Sequence, residues 1–283
     1  MIIWIASYPK SGNTWLRSLI SSYFFTDDGF FDFKLLKNIP SYPSPPFFEK
    51  YPDKFDKPEA TAKYWIPEQE RINKNNNKLI FLKTHNALCK INGYSFTDTK
   101  NSLGAVHIIR DPRNVISSIS NHYQIDLDEA LKFMKTPNKA IFVKKDERYL
   151  GFNALFSWSS NNKSWSECQK FPILTIKYED LEKETFETFK KVFEFIKKVS
   201  KLKEDFNQKK AKIAVENCNF EKLQKLEKEK GFYEAISKKN SNEKIKFFNL
   251  GNKNNYKDLL NKSLLDEMNL FYKDELKKYD YNF

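Results

Sequence analysis

Four runs along the chain, IIWIAS, KLIFLKT, GAVHIIR and PILTIKY, are dominated by apolar, β-branched and aromatic residues. Runs of this length and composition read as buried strands. Helical patterns lie between them. Directly after the first run, Trp15, Leu16, Leu19, Ile20, Tyr23 and Phe24 recur at helical spacing. Strands alternating with helices predict an α/β fold, with a mainly parallel central sheet flanked by helices. No internal repeat or long linker divides the chain, so residues 1–283 are expected to form a single domain. In such sheets ligands bind beyond the carboxyl ends of the strands. Every run leads there into a polar group: Lys10 in the first case, Lys83 and His85 in the second, Arg110 in the third and Tyr178 in the fourth. Two segments break the pattern and read as long loops, one rich in Pro and aromatic residues (NIPSYPSPPFFEKYPDKFDKPEA), one rich in Asn and Lys (KKNSNEKIKFFNLGNKNNYKD). Such loops cover substrates in compact enzymes or are plain surface insertions.

Composition narrows the class of partner. The formal net charge is +12 and the pI about 9.3. That balance favours acidic partners, although most lysines fall on solvated helix faces. Three cysteines stand singly, at Cys89, Cys168 and Cys218, which suggests neither a disulfide framework nor a metal site and fits a reducing compartment. No membrane-spanning run is present, and MIIWIA is too short for a signal peptide and lacks a basic n-region. The expectation is a soluble, cytoplasmic protein without a membrane span. No nucleic-acid-binding motif accompanies the charge, so nucleic acid is not expected as a partner.

Two stretches carry chemistry. SYPKSGNTW joins the first strand to a helix, with Asn13 or Thr14 expected near the N-cap. Unpaired backbone N–H groups there make an anion site, and Gly12 lets the backbone approach closely. Ser11 and Thr14 add hydroxyl donors and Lys10 adds charge. The alternative is an ordinary Gly-Asn turn with a surface lysine. The second stretch, VHIIRDPRNVISSISNHY, makes another strand-to-helix transition, with Asp111 as N-cap and Pro112 at the first helical position. Arg110 at the strand end and Ser118 two turns into the helix suit a phosphate. A surface Arg–Asp pair and a plain helical serine are the competing explanation.

Taken together, the two stretches resemble the sulfotransferase family that uses 3′-phosphoadenosine 5′-phosphosulfate (PAPS). The resemblance implies a P-loop-like loop, Lys10, Ser11, Gly12, Asn13 and Thr14, that holds the 5′-phosphosulfate. It also implies that Arg110 and Ser118 hold the 3′-phosphate. FLKTH is similar to the family element carrying a catalytic lysine and histidine, here Lys83 and His85. IKYEDL is similar to another, whose tyrosine, here Tyr178, approaches the adenine. Trp15 is implied to be part core and part adenine platform. The implied reaction moves a sulfuryl group to a hydroxyl, or an amine, on a small molecule or glycan. Lys10 would stabilise charge on the leaving phosphate oxygen, His85 would take the acceptor proton as general base, and Lys83, on the same strand face, would assist the transferring group. No metal is required. His107 reads as core or as support to the site, His122 has no assigned role, and Trp158 and Trp165 read as core.

The C-terminal part departs from the family pattern. Asn249 and Leu250 stand where a basic pair is usual, Gly251 is kept, and Tyr256 replaces a tryptophan. Lys246 and Lys253 are the candidate replacements for the missing charge. ENCNFEKL loosely matches a segment that contacts adenine, which points to Cys218 and Phe220. Two other functions compete. A P-loop kinase would place lysine and then Ser or Thr after the last glycine, and would need acidic magnesium ligands; SGNTW has neither. A non-catalytic anion- or glycan-binding protein on the same fold is the other. The sequence leaves the oligomeric state and the acceptor open.

Overall fold

The computed structural model describes residues 1–75, 79–238, 241 and 243–281. The four predicted strands all form: β1 (Ile2–Ser7), β2 (Ile80–Thr84), β3 (Ser102–Ile109) and β4 (Ile173–Lys177). They make one all-parallel sheet in the order β2-β1-β3-β4. Because β2 and β3 lie on opposite sides of β1, the chain reverses direction across the sheet at the end of β1. That is the switch point where α/β sheets open a crevice.

Both faces of β1 are buried, which explains its unbroken apolar sequence. Ile3 and Ile5 pack with α1 (Asn13–Phe24), α4 (Thr185–Ser200) and α5 (Gln208–Asn217). Ile2, Trp4 and Ala6 face the other way, towards Tyr42, Trp65, Phe96 and Phe152, and towards Trp165 on α3 (Trp158–Ser166). Trp158 and Trp165 are fully buried, as their spacing predicts. His107 is core as well, and its ring nitrogens reach Thr175 and Asn162. No described helix is long and apolar enough to cross a membrane.

The structure adds elements that the apolar pattern did not reveal. An antiparallel hairpin, Ala140–Lys145 with Arg148–Ala154, stands beside the sheet. The Pro/aromatic segment contains short helices at Pro45–Phe48 and Pro58–Tyr64. It also tethers the outer edge of β2: the Lys83 amide donates to the Pro40 carbonyl at 2.9 Å, and the Tyr42 amide to the Lys83 carbonyl at 2.7 Å. In the Asn/Lys segment, residues 239, 240 and 242 lie outside the described residues.

Candidate active site

A cavity of about 620 Å³ opens at the carboxyl ends of β1, β2 and β3. Its floor is the loop between β1 and α1. Gly12 rather than Asn13 or Thr14 is the N-cap of α1, with φ 95° and ψ 8°. The N-cap moves back one residue because the Asn13 side chain is used elsewhere, donating to the Ile5 carbonyl at 2.9 Å and the Ser7 hydroxyl at 3.1 Å. Lys10 is left-handed too, with φ 65°. A left-handed residue at the head of a helix turns successive amides inward and suits an anion. Glycine is required at position 12, since a Cβ there would lie 2.5 Å from the Tyr178 ring.

Of the loop residues, Lys10, Gly12, Asn13, Thr14 and Trp15 line the cavity. Ser11 does not; it is buried and its hydroxyl has no partner. The Lys10 ammonium lies 3.7 Å from the centre of the Phe247 ring. Enclosure, then the charges of Lys83 and Arg110, lower this ammonium to about 7.

The third strand delivers Arg110, followed by α2 (Pro112–Tyr123). Asp111 caps that helix by accepting from the Arg113 amide at 2.9 Å, and Pro112 opens it, as expected. The Arg110 guanidinium packs 4.0 Å from the Tyr178 ring centre and donates to the Lys10 carbonyl at 3.3 Å, while its Nε is buried without a partner. A buried guanidinium N–H without a partner is costly and is the kind of group an anion satisfies. Ser118 faces the same cavity. Beside it lies Asn254, whose amide donates to the Ser118 hydroxyl at 3.0 Å and to the Asn114 carbonyl at 2.9 Å. Lys246 and Lys253 are exposed and lie off the cavity wall, so neither takes the place of the missing basic pair in this structure. Asn249, Leu250 and Gly251 themselves line the cavity.

An aromatic wall stands next to these groups. Trp15 meets Tyr178 edge-on, with ring centres 5.6 Å apart. Phe220 lines the cavity at the start of α6 (Phe220–Lys230), and a Cβ on Gly251 would fall 2.6 Å from its ring. Cys218, its sequence neighbour, is buried in the core behind α1 and does not reach the cavity.

The second strand supplies Lys83 and His85. The His85 Nδ1 sits 2.8 Å from the Ser7 carbonyl. A carbonyl only accepts, so Nδ1 carries the proton and Nε2 presents a free lone pair. Burial, then the charge of Lys83, push this imidazole down to about 3, against the opposing bond to Ser7. His85 is therefore neutral at physiological pH, and its enclosure makes it a weaker base than an ordinary imidazole. Lys83 lies 3.3 Å from Glu234, whose other oxygen is 2.7 Å from Arg17. Burial alone would raise the Glu234 carboxyl; Lys83 and Arg17 outweigh it and hold it at about 2.

Several residues in or behind the cavity wall escaped sequence reasoning. Ser7 orients His85, yet in sequence it is only the last residue of an apolar run. Arg17 sits mid-helix, where a basic residue normally reads as solvated. Glu234, and the hairpin residues Ile141 and Asn153, carry no motif at all. His122 does line the cavity, one turn after Ser118, with its ring centre 6.3 Å from that of Phe247. Burial, then the charges of Lys10 and Lys83, lower it to about 4.

Comparison with known proteins fixes the family. The Sulfotransferase domain family model matches residues 2–280. The chain belongs to this family. No curated protein matches the sequence. Among solved structures, the sulfotransferase is similar to retinol dehydratase in complex with androsterone and the inactive cofactor PAP. The TM-score is 0.61 at 16% identity, over 100% of this chain and 82% of that one. A second structure of retinol dehydratase, with retinol and PAP, gives a TM-score of 0.60 at 17% identity, over 100% of this chain and 83% of that one. A mouse sulfotransferase complexed with PAP gives a TM-score of 0.59 at 16% identity, over 98% and 84% of the two chains. At these identities the structures establish a shared fold. The expectation of a PAPS-dependent sulfotransferase holds at the level of family and fold.

Proposed function

We propose that this sulfotransferase moves the sulfuryl group of PAPS to a hydroxyl on a small-molecule acceptor, with His85 as general base. The observation that carries this reading is the hydrogen bond from His85 Nδ1 to the Ser7 carbonyl, which leaves Nε2 free in the cavity that Lys10 and Lys83 also line. The phosphosulfate end would occupy the loop from Lys10 to Thr14, and the 3′-phosphate the space between Arg110 and Ser118. The unpartnered Arg110 Nε supports that assignment, as do the left-handed residues of the loop. Trp15, Tyr178 and Phe220 would flank the adenine, with Gly251 held against Phe220. Asn254 would contribute beside Ser118 in place of the missing basic pair.

Chemistry follows from these positions. The acceptor oxygen attacks sulfur while the bond from sulfur to the bridging phosphate oxygen breaks. His85 Nε2 takes the acceptor proton, and the leaving phosphate keeps the bond's electron pair. Lys10 neutralises the charge that develops on that oxygen, an effect worth most in a cavity shielded from water. Lys83 contacts the transferring group.

A panel of phenols, alcohols, amines and glycans, incubated with sulfur-labelled PAPS, tests the reading. The expected result is a labelled product that depends on both acceptor and enzyme. Binding of PAP without transfer to any acceptor would favour a non-catalytic anion binder. A preference for ATP with magnesium would favour a kinase.

A further inference from the structure

Among the described residues lining the cavity, Glu234 is the only acid, and it shares that wall with Lys10, Arg17, Lys37, Lys83 and Arg110. A carboxylate repels a polyanionic donor, and the repulsion is strong where water is excluded. Its presence therefore needs a reason. Part of that reason is Arg17. The guanidinium is fully buried, and besides Glu234 it donates to the carbonyls of Leu36 at 3.2 Å and Ile39 at 2.9 Å. These bonds fix Arg17 and the segment Phe33–Asn38 behind the cavity. Neutralising Arg17 does not require a second partner, yet the free oxygen of Glu234 reaches Lys83.

We propose that Glu234, anchored by Arg17, is a positioning residue that holds the Lys83 ammonium at the acceptor end of the cavity. The inference rests on the assignment of Lys83 to the transferring group. The backbone of Lys83 is fixed by its bonds to Pro40 and Tyr42, but its four-carbon side chain is flexible and rotamer-rich. Glu234 restricts the head of that chain. The two contacts differ in a useful way: 2.7 Å to Arg17 and 3.3 Å to Lys83. The looser partner is the one that has to turn towards a sulfuryl oxygen, while the tighter one keeps the carboxylate in place. Glu234 also favours the charged form of Lys83. Burial lowers that ammonium below its ordinary value, Glu234 opposes the shift, and Arg17 adds to it. Lys10, His85 and His122 also sense Lys83, and none of them supplies a negative charge.

Glu234→Gln keeps the shape and removes the charge. Its kcat is expected to fall about tenfold at pH 7, a fraction of the ~10²–10³-fold loss typical of removing a charge-stabilising donor outright. The alkaline limb of the kcat profile should move to lower pH, while the Kd for PAP is unchanged or tighter. A residue that only braced the fold would weaken PAP binding and leave the limb in place. Lys83→Met, measured in parallel, separates the two assignments. Wild-type turnover in Lys83→Met overturns the role of Lys83 itself. A slow Lys83→Met beside a Glu234→Gln enzyme with wild-type kcat and pH profile overturns the positioning role alone. If Glu234→Gln does not fold because Arg17 is left unpaired, the double variant Arg17→Met/Glu234→Gln removes the buried pair as a unit. There the loss of Arg17 offsets the loss of Glu234 on Lys83, so kcat at pH 7 decides: a fall of about tenfold with unchanged PAP affinity supports the proposal and a wild-type kcat overturns it.

Discussion

The two ends of the cavity are built in different ways. On the proposed assignment, the donor's phosphate groups fall to two short contiguous stretches: the loop from Lys10 to Thr14 follows β1, and Arg110 to Ser118 follows β3. Each is a strand, a turn and a helix, so local sequence supplies amides, charge and hydroxyls together. The acceptor end is assembled from distant pieces. Glu234 meets Lys83 across 151 residues and Arg17 across 217. Ile141 and Asn153 come from a hairpin, and Pro40 and Ser41 from the segment that edges β2. A fixed donor needs a fixed cradle, which short motifs encode well. The other end has to match a different molecule, and its wall comes from loops free to vary.

That contrast breaks if the two ends fail to separate in function. The largest effect is expected from His85→Ala. Its turnover should fall about 10²–10⁴-fold, the usual loss of a general base, while affinity for PAP stays within about twofold. Initial rates at saturating acceptor and a PAP titration check both halves. A comparable loss of PAP binding would show that His85 belongs to the donor end.

Arg110→Ala should do the reverse. At a hundred times its dissociation constant, PAP is expected to stabilise the wild-type enzyme by about 2.7 kcal/mol. Adenosine 5′-phosphate, which lacks the 3′ group, should do much less at equal concentration. The variant should lose most of this difference, because Ser118 and Asn254 offer only neutral hydrogen bonds. Thermal-shift curves with the two nucleotides give the answer, and equal shifts in the wild-type protein would remove the 3′-phosphate from the assignment.

Acid stability tests whether the histidines of both regions are held neutral. His85 is depressed to about 3 and His107 and His122 to about 4 in the folded chain, against 6.5 as the ordinary value. Between those limits the unfolded chain binds more protons than the folded one, so stability is lost as pH falls from about 6.5 towards 4. Each histidine contributes a slope of about 1.4 kcal/mol per pH unit. Denaturant unfolding at several pH values, with His107→Gln and His85→Gln as controls, measures the share of each. A flat profile above pH 5 would contradict this.

The smallest effect sharpens the boundary between the ends, where Lys10 sits. With its ammonium lowered to about 7, Lys10 is mostly deprotonated at pH 8 in the empty cavity. A phosphate-bearing ligand restores the charge, so PAP binding at pH 8, where its own phosphates are fully ionised, should take up close to one proton. Calorimetry in buffers of different ionisation heats reads this directly. Lys10→Met should abolish the uptake.

The sequence by itself determined the strands, their alternation with helices and the two strand-to-helix loops that line the cavity. These depend on periodicity and on motifs a few residues long, which local sterics and backbone hydrogen bonding enforce wherever the chain goes. Lys10, Gly12, Arg110, Ser118, Lys83 and His85 all reach one cavity because parallel strands deliver their carboxyl ends to one edge. Even there, the N-cap fell to Gly12 because Asn13 found better partners in β1. Tertiary structure alone decided the rest. It buried Ser11 away from the wall, put Asn254 rather than Lys246 or Lys253 beside Ser118, and turned Arg17 from an ordinary helical position into the anchor of Glu234. No pattern in the chain marks these residues, because their chemistry comes from neighbours brought together only by packing. A glutamate in a turn after a helix reads as surface until a lysine from β2 is 3.3 Å away.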